Sequence, residues 1–142
     1  MAMRLHIIAR GKIGRSPEAD LVDRYLKRIS WPTKHSELPD KGGKLTASDA
    51  PYKTIILDEK GEQLGSVELA RLLEHWRDDG VREVRFLIGA AEGFGDTERA
   101  GADKLIAFGK ATWPHLMARA MLAEQLFRAT SIIANHPYHR EG

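Results

Sequence analysis

The run from Val84 to Gly95, VRFLIGAAEGFG, restricts what this chain can fold into more than any other stretch. Val84, Phe86 and Ile88 alternate with Arg85 and Leu87, and so much β-branched and aromatic content in a short run specifies a buried strand rather than a helix. The strand has to stop at Gly89. Gly89, Gly93 and Gly95, with the small Ala90 and Ala91 between them, permit positive φ and give another molecule access to main-chain amides without a Cβ in the way. Open α/β sheets bind ligands at such loops, beyond the carboxyl ends of their strands. The alternative is a tight turn with no ligand. Among nucleotide-binding loops, G-x-G-x-x-G fails because Glu98 stands where the third glycine belongs, and the P-loop fails because no Lys-Ser or Lys-Thr pair follows.

The flanking chain supplies the rest of an α/β domain. Arg4 to Ala9 reads as a strand closed by Gly11 to Gly14. Ser16 and Pro17 then cap and open a helix whose buried stripe is Leu21, Val22, Tyr25, Leu26 and Ile29, ending at Trp31-Pro32. His35 to Leu38 forms a short strand, and Pro39 to Ala50 is a polar surface loop. Lys53 to Leu57 is the next strand, turned at Asp58-Glu59-Lys60-Gly61. Ser66 caps a helix that carries Leu69, Leu72, Leu73 and Trp76 on one face and stops at Asp79-Gly80. Strand, helix and strand make a right-handed βαβ unit. After the glycine loop come a short polar helix near Thr97 to Ala102 and a strand from Lys104 to Phe108. A second strand-end loop, Gly109 to Trp113, leads into a long helix that Pro114 starts and that reaches about Asn135, with Leu116, Ala120, Ala123, Leu126, Phe127 and Ile133 at core spacing. Two loops at neighbouring strand ends make a pocket.

At 142 residues the chain is a single domain, residues 1 to 142. The absence of any apolar run of roughly 20 residues argues against a membrane span, and the short apolar start argues against a signal peptide, so a cytoplasmic protein is expected. With no cysteine, disulfides and thiolate chemistry are excluded. Charge is unevenly placed: residues 1 to 53 hold eleven Lys/Arg against six Asp/Glu, whereas the remainder holds eleven against fourteen. The basic half is either a solvated face or a surface for phosphate. The C-terminal NHPYHREG differs from everything before it. A metal site is disfavoured, since His136 and His139 have only Glu141 as a further ligand. The residues suit an idle polar tail, or a nucleic-acid contact in which Tyr138 and the imidazoles stack on unpaired bases and Arg140 offers a planar donor fork. Arg119, Glu124 and Arg128 recur near helical spacing and read as surface or interface ion pairs.

FLIGAAEGF and TWPHLMARAMLAEQLFRATSIIANHPYHRE, together with the first strand, LDEKGEQL and HWRDDG, resemble the SPOUT-class family of ribosomal large-subunit pseudouridine N3-methyltransferases along the whole chain. The resemblance implies an α/β knot: a parallel-rich sheet with helices on both faces, a C-terminal trefoil knot and a homodimer. It implies an S-adenosylmethionine site built from the main chain of three turns, at Leu57, at Gly89, and at Phe108, Gly109, Lys110, Ala111, Thr112 and Trp113. It also implies methyl transfer to N3 of a pseudouridine in 23S rRNA of the ribosome, with no metal. The N3 proton has to leave, which makes His115, Tyr138 and His139 the candidate catalytic residues. The tail residues His136, Tyr138, His139 and Arg140 are expected to meet RNA. The competing reading is a ribosome- or RNA-binding factor that keeps the knot without transferring methyl.

Overall fold

The computed structural model describes residues 3–43, 48, 50–89 and 94–140. Five strands, β1 (Arg4–Arg10), β2 (Thr33–Leu38), β3 (Tyr52–Glu62), β4 (Glu83–Ile88) and β5 (Lys104–Ile106), form one parallel sheet in the order β2-β1-β4-β3-β5. The helices are α1 (Pro17–Arg28), α2 (Ser66–Asp78), α3 (Asp96–Ala100) and α4 (His115–Ile133). β1 and β4 are buried almost throughout, so the polar residues that alternate along them, His6, Glu83 and Arg85, are buried as well.

One face of the sheet, carrying Leu5, Ile7, Val84, Phe86 and Ile55, joins Val22 of α1, Leu69 and Leu73 of α2, and Leu122 and Leu126 of α4 in a single core. Helices were expected on both faces. The three long ones share this core, while the five-residue α3 buries nothing. The other face holds Ile8 and Ile56 beside a buried polar group in which the Arg85 Nε–H donates to Glu83 (2.8 Å) and His6 Nε2 meets Ser36 Oγ (2.7 Å).

α1 begins as its sequence dictates: the Ala19 N–H donates to Ser16 Oγ (3.1 Å), Pro17 takes the first turn, and Lys27 and Arg28 sit at the end where the helix dipole favours cations. It closes at Arg28, three residues before Trp31. In α2 the cap is Gly65 rather than Ser66. Its N–H donates to Glu68 Oε1 (2.9 Å), while Ser66 Oγ donates to Gln125 Oε1 (2.7 Å) and so joins α2 to α4. β5 stops at Ile106, short of Phe108.

The largest departure from expectation is β3. Asp58 to Gly61 does not end the strand but forms an excursion within it, so that Ile106 pairs with both Leu57 and Glu62. The Lys60 N–H closes the excursion on Asp58 Oδ1 (2.9 Å). Gly61 permits the return, because a Cβ there would stand 2.6 Å from the backbone N and C of Ile106. Gly61→Ala is therefore expected to cost roughly 2 kcal/mol in urea unfolding, as overpacking against backbone that cannot give way does. A cost below about 0.5 kcal/mol would show that β5 is free to move.

Candidate functional site

Because β3, β4 and β5 are parallel neighbours, their carboxyl ends lie side by side, and the chain that leaves each one borders the same space. The result is a cleft of about 340 Å³. Leu57, Asp58 and Glu59 line it from β3, Ile88 and Gly89 from β4, and the stretch from Ile106 to Gly109 with Ala111 to Trp113 from β5; Pro114, His115 and Ala118 close it from α4. The three turns expected from sequence thus meet. Lys110 is exposed and does not line the cleft, and Gly93 falls outside the described residues.

The last loop is pinned at both ends. The Trp113 indole N–H donates to the Phe108 carbonyl (2.8 Å), and the Thr112 hydroxyl donates to Glu59 Oε2 (2.8 Å), which ties the loop to the β3 excursion. Gly109 has φ +83°, a conformation that a side chain rarely adopts, and open space stands over its Cα. Asp58 is held by Arg99 of α3 at 2.6 Å. Burial works against its ionised form, yet the Lys60 N–H and the Arg99 guanidinium keep the carboxyl below its ordinary range. The cleft therefore joins accessible main chain to a polar wall in which Asp58 is paired with Arg99, itself a lining residue, and Glu59 adds a second carboxylate.

The tail is neither frayed nor in the cleft. α4 ends in a Schellman turn, with Asn135 at φ +62°, the His136 N–H donating to the Ser131 carbonyl (2.8 Å) and the Asn135 N–H to the Ile132 carbonyl (3.1 Å). This folds the tail back on α4. The Tyr138 ring packs against Phe127 with centroids 4.5 Å apart, and its hydroxyl donates to Glu124 Oε2 (2.8 Å). His136 and Arg140 are exposed. Burial, then Glu124, raises the Tyr138 phenol to about 12, so it is a proton donor at neutral pH. His115 is the one imidazole that borders the cleft among the described residues.

Arg119, expected at the surface, is fully buried. Its Nη1 donates to Glu37 Oε2 (2.5 Å) and to His35 Nε2 (3.3 Å), and its Nη2 donates to the Gly11 carbonyl (3.3 Å). Glu37 in turn accepts the Ile13 N–H (2.8 Å). This cluster locks the loop after β1 and the end of β2 onto α4, one turn beyond His115. The signal was present in the sequence: Arg119 is in phase with Leu122 and Leu126 on the buried side of α4. No cluster of three potential metal ligands and no helix long and apolar enough to cross a membrane occurs among the described residues.

A family model described as "Predicted SPOUT methyltransferase" matches residues 3–139. The chain belongs to the SPOUT methyltransferase family. A protein of Sphingopyxis alaskensis named "Ribosomal RNA large subunit methyltransferase H" is 71% identical over 140 residues, covering 99% of each chain. Proteins of the same name are 70% identical in Rhizorhabdus wittichii and 56% identical in Zymomonas mobilis, covering 99% of this chain and 100% of each of theirs. Among solved structures, a probable methylase family protein from Haemophilus influenzae aligns with a TM-score of 0.62 over 98% of this chain and 70% of its own, at 12% identity. A probable methyltransferase from Bordetella pertussis aligns with a TM-score of 0.57 over 90% and 95%, at 11% identity. At those identities the two structures speak for the SPOUT fold alone.

Proposed function

We propose that this SPOUT protein transfers a methyl group from S-adenosylmethionine to N3 of a pseudouridine in 23S rRNA of the large ribosomal subunit, in the cytoplasm. The observation that carries the reading is the convergence of three strand-end turns on one cleft, in a chain whose full-length relatives bear the name of a ribosomal RNA methyltransferase. A volume near 340 Å³ suits a nucleoside-sized ligand, and the main chain around Gly109 offers hydrogen-bonding groups without a diagnostic side chain. The Glu59 carboxylate at the cleft wall favours a cation such as a sulfonium. Leu57, Gly89, Phe108, Gly109, Ala111, Thr112 and Trp113 would hold the cofactor, with Lys110 contributing main chain only. Bound there, it supplies an activated methyl group, and the protein is left with positioning and proton removal.

His115, at the cleft, and His139, in the tail, are the candidate acceptors of the N3 proton, while the Tyr138 hydroxyl is engaged by Glu124. His136, Tyr138, His139 and Arg140 would meet the RNA. None of these four lines the cleft of its own chain, which favours a homodimer in which a second copy brings its tail to the site. The reading includes a C-terminal trefoil knot, in the part of the chain where β5 forms beyond β3 and α4 packs against both α1 and α2.

Incubation with labelled S-adenosylmethionine and ribosomes from a strain lacking the activity, followed by mass mapping, is expected to place one methyl on a pseudouridine of 23S rRNA. No incorporation into ribosomes that the protein binds would favour the non-catalytic reading.

A further inference from the structure

The carboxylate of Glu124 is the most heavily subscribed side chain outside the cleft. Arg128, one turn on, donates to it from Nη2 (2.6 Å) and from Nε (3.2 Å to Oε2), the Gln125 amide donates to Oε1 (3.0 Å), and the Tyr138 hydroxyl donates to Oε2 (2.8 Å). Arg128 also lies over the Tyr138 ring at 4.8 Å and reaches His139 Nδ1 (3.1 Å). Three donors from one helix hold the carboxylate in place, and the fourth belongs to the tail. The tail also packs on the Phe127 ring, with Tyr25 of α1 nearby.

Glu124 and Gln125 have a second connection. Both line a cavity of about 510 Å³ whose opposite wall is Ala107, Phe108 and Gly109, the stretch that also borders the cofactor cleft. Gln125 continues to Ser66 at the start of α2. A hydrogen-bonded line thus runs from α2 through Gln125 and Glu124 to Tyr138, along the far side of the loop that forms the cleft.

From this arrangement we infer that Glu124 is a positioning residue for methyl transfer: it fixes Tyr138 as the anchor of the C-terminal segment, so that Arg140 and His136 are presented to the RNA in one orientation. The inference rests on the methyltransferase reading and divides the tail, which that reading treats as a unit. The Tyr138 hydroxyl is spent on Glu124 and its ring lies between Phe127 and Arg128, so it anchors rather than stacks on a base. Arg140 is exposed, and its side chain makes no hydrogen bond, ion pair or ring contact among the described residues. A charge-assisted hydrogen bond to a fixed carboxylate is the directional contact that an apolar dock at Phe127 lacks.

Glu124→Gln preserves shape and leaves an acceptor but removes the charge. It is expected to lower kcat/KM for ribosomes by about tenfold, mainly through KM, with the Kd for S-adenosylmethionine within about twofold of the parent. The Tyr138 phenol should titrate lower than in the parent, because the Glu124 charge that helps raise it is gone, which checks that the contact is broken. A merely structural role would not separate KM from kcat. Tyr138→Phe keeps the ring and drops the hydroxyl, and should reproduce the KM effect without disturbing the Glu124–Arg128 pair, so it serves where Glu124→Gln fails to fold. Unchanged kcat/KM in either folded variant, or a loss matched by equal loss of cofactor binding, overturns the inference. If instead the parent protein transfers no methyl, the function itself is refuted; if transfer disappears on truncating the tail yet survives Glu124→Gln, only the role of Glu124 is.

Discussion

Deleting Tyr138 to Gly142 is expected to cut transfer to ribosomes by about a hundredfold or more and to leave S-adenosylmethionine binding within about twofold. The separation follows from where the residues lie. The cleft is walled by strand ends and the start of α4, and no tail residue among those described borders it, so the ligand in it loses no described contact. The deletion begins after the Schellman turn at Asn135, so α4 keeps its terminal hydrogen bonds and the fold keeps its core. What disappears is the exposed Arg140 and the anchored aromatic. Filter binding of labelled cofactor and a ribosome methylation assay on the same sample check both halves. Retained transfer would make the tail idle, and lost cofactor binding would place it in the cleft.

Glu37→Ala is the substitution with the largest expected cost to stability. It leaves the Arg119 guanidinium, wholly without solvent exposure, without its carboxylate. Removing one partner of a buried pair costs about 3–5 kcal/mol; because the Glu37 side chain is itself 32% exposed, the lower end applies. For a chain of this size that is a fall in Tm of roughly 10 °C. Replacing both partners, Glu37→Leu with Arg119→Met, should recover most of it, since no buried charge is then left alone. Circular dichroism melts of the parent and the two variants distinguish this from simple loss of packing, for which the double variant would be the worse of the two.

The same cluster sets a pH dependence. Burial, then Arg119, depresses the His35 pKa, so below its ordinary 6.5 the unfolded chain takes up the proton before the folded one and stability falls. Buried His6 adds to this phase. Glu37 is opposed by burial but held low by the Ile13 N–H and Arg119; its contribution is complete above its ordinary 4.5 and is lost as pH drops through the lower folded value. Tm should therefore decline from pH 7 to 5 and again below 4.5. Glu37→Ala weakens the second decline, to which Asp58 and Glu83, also depressed, still contribute.

Much of this was legible in the residues. The Val84 strand, the Ser16-Pro17 start of α1 and the glycine-bearing turns announce themselves through local chemistry. Strand order was not legible, because periodicity says which residues are buried but not which strand lies beside which. β3 was cut short because Asp58 to Gly61 carries the composition of a turn; only the pairing of Ile106 with both of its flanks shows that the strand resumes. The docked tail was missed for a similar reason. Glu124 and Arg128 at i and i+4 look complete as a surface pair, and only the reversal at Asn135 brings Tyr138 to the same carboxylate.

The central claim, that the turns after β3, β4 and β5 form the cofactor site, is tested most directly by calorimetric titration of S-adenosylmethionine into the parent protein and into Gly109→Val. Gly109 lines the cleft at φ +83°, where a branched side chain strains the backbone and projects into the open space above it. The parent should bind saturably in the micromolar range, and the variant should bind at least about tenfold more weakly while remaining folded. No heat from the parent, or equal affinity in the two, would contradict the assignment of the cleft.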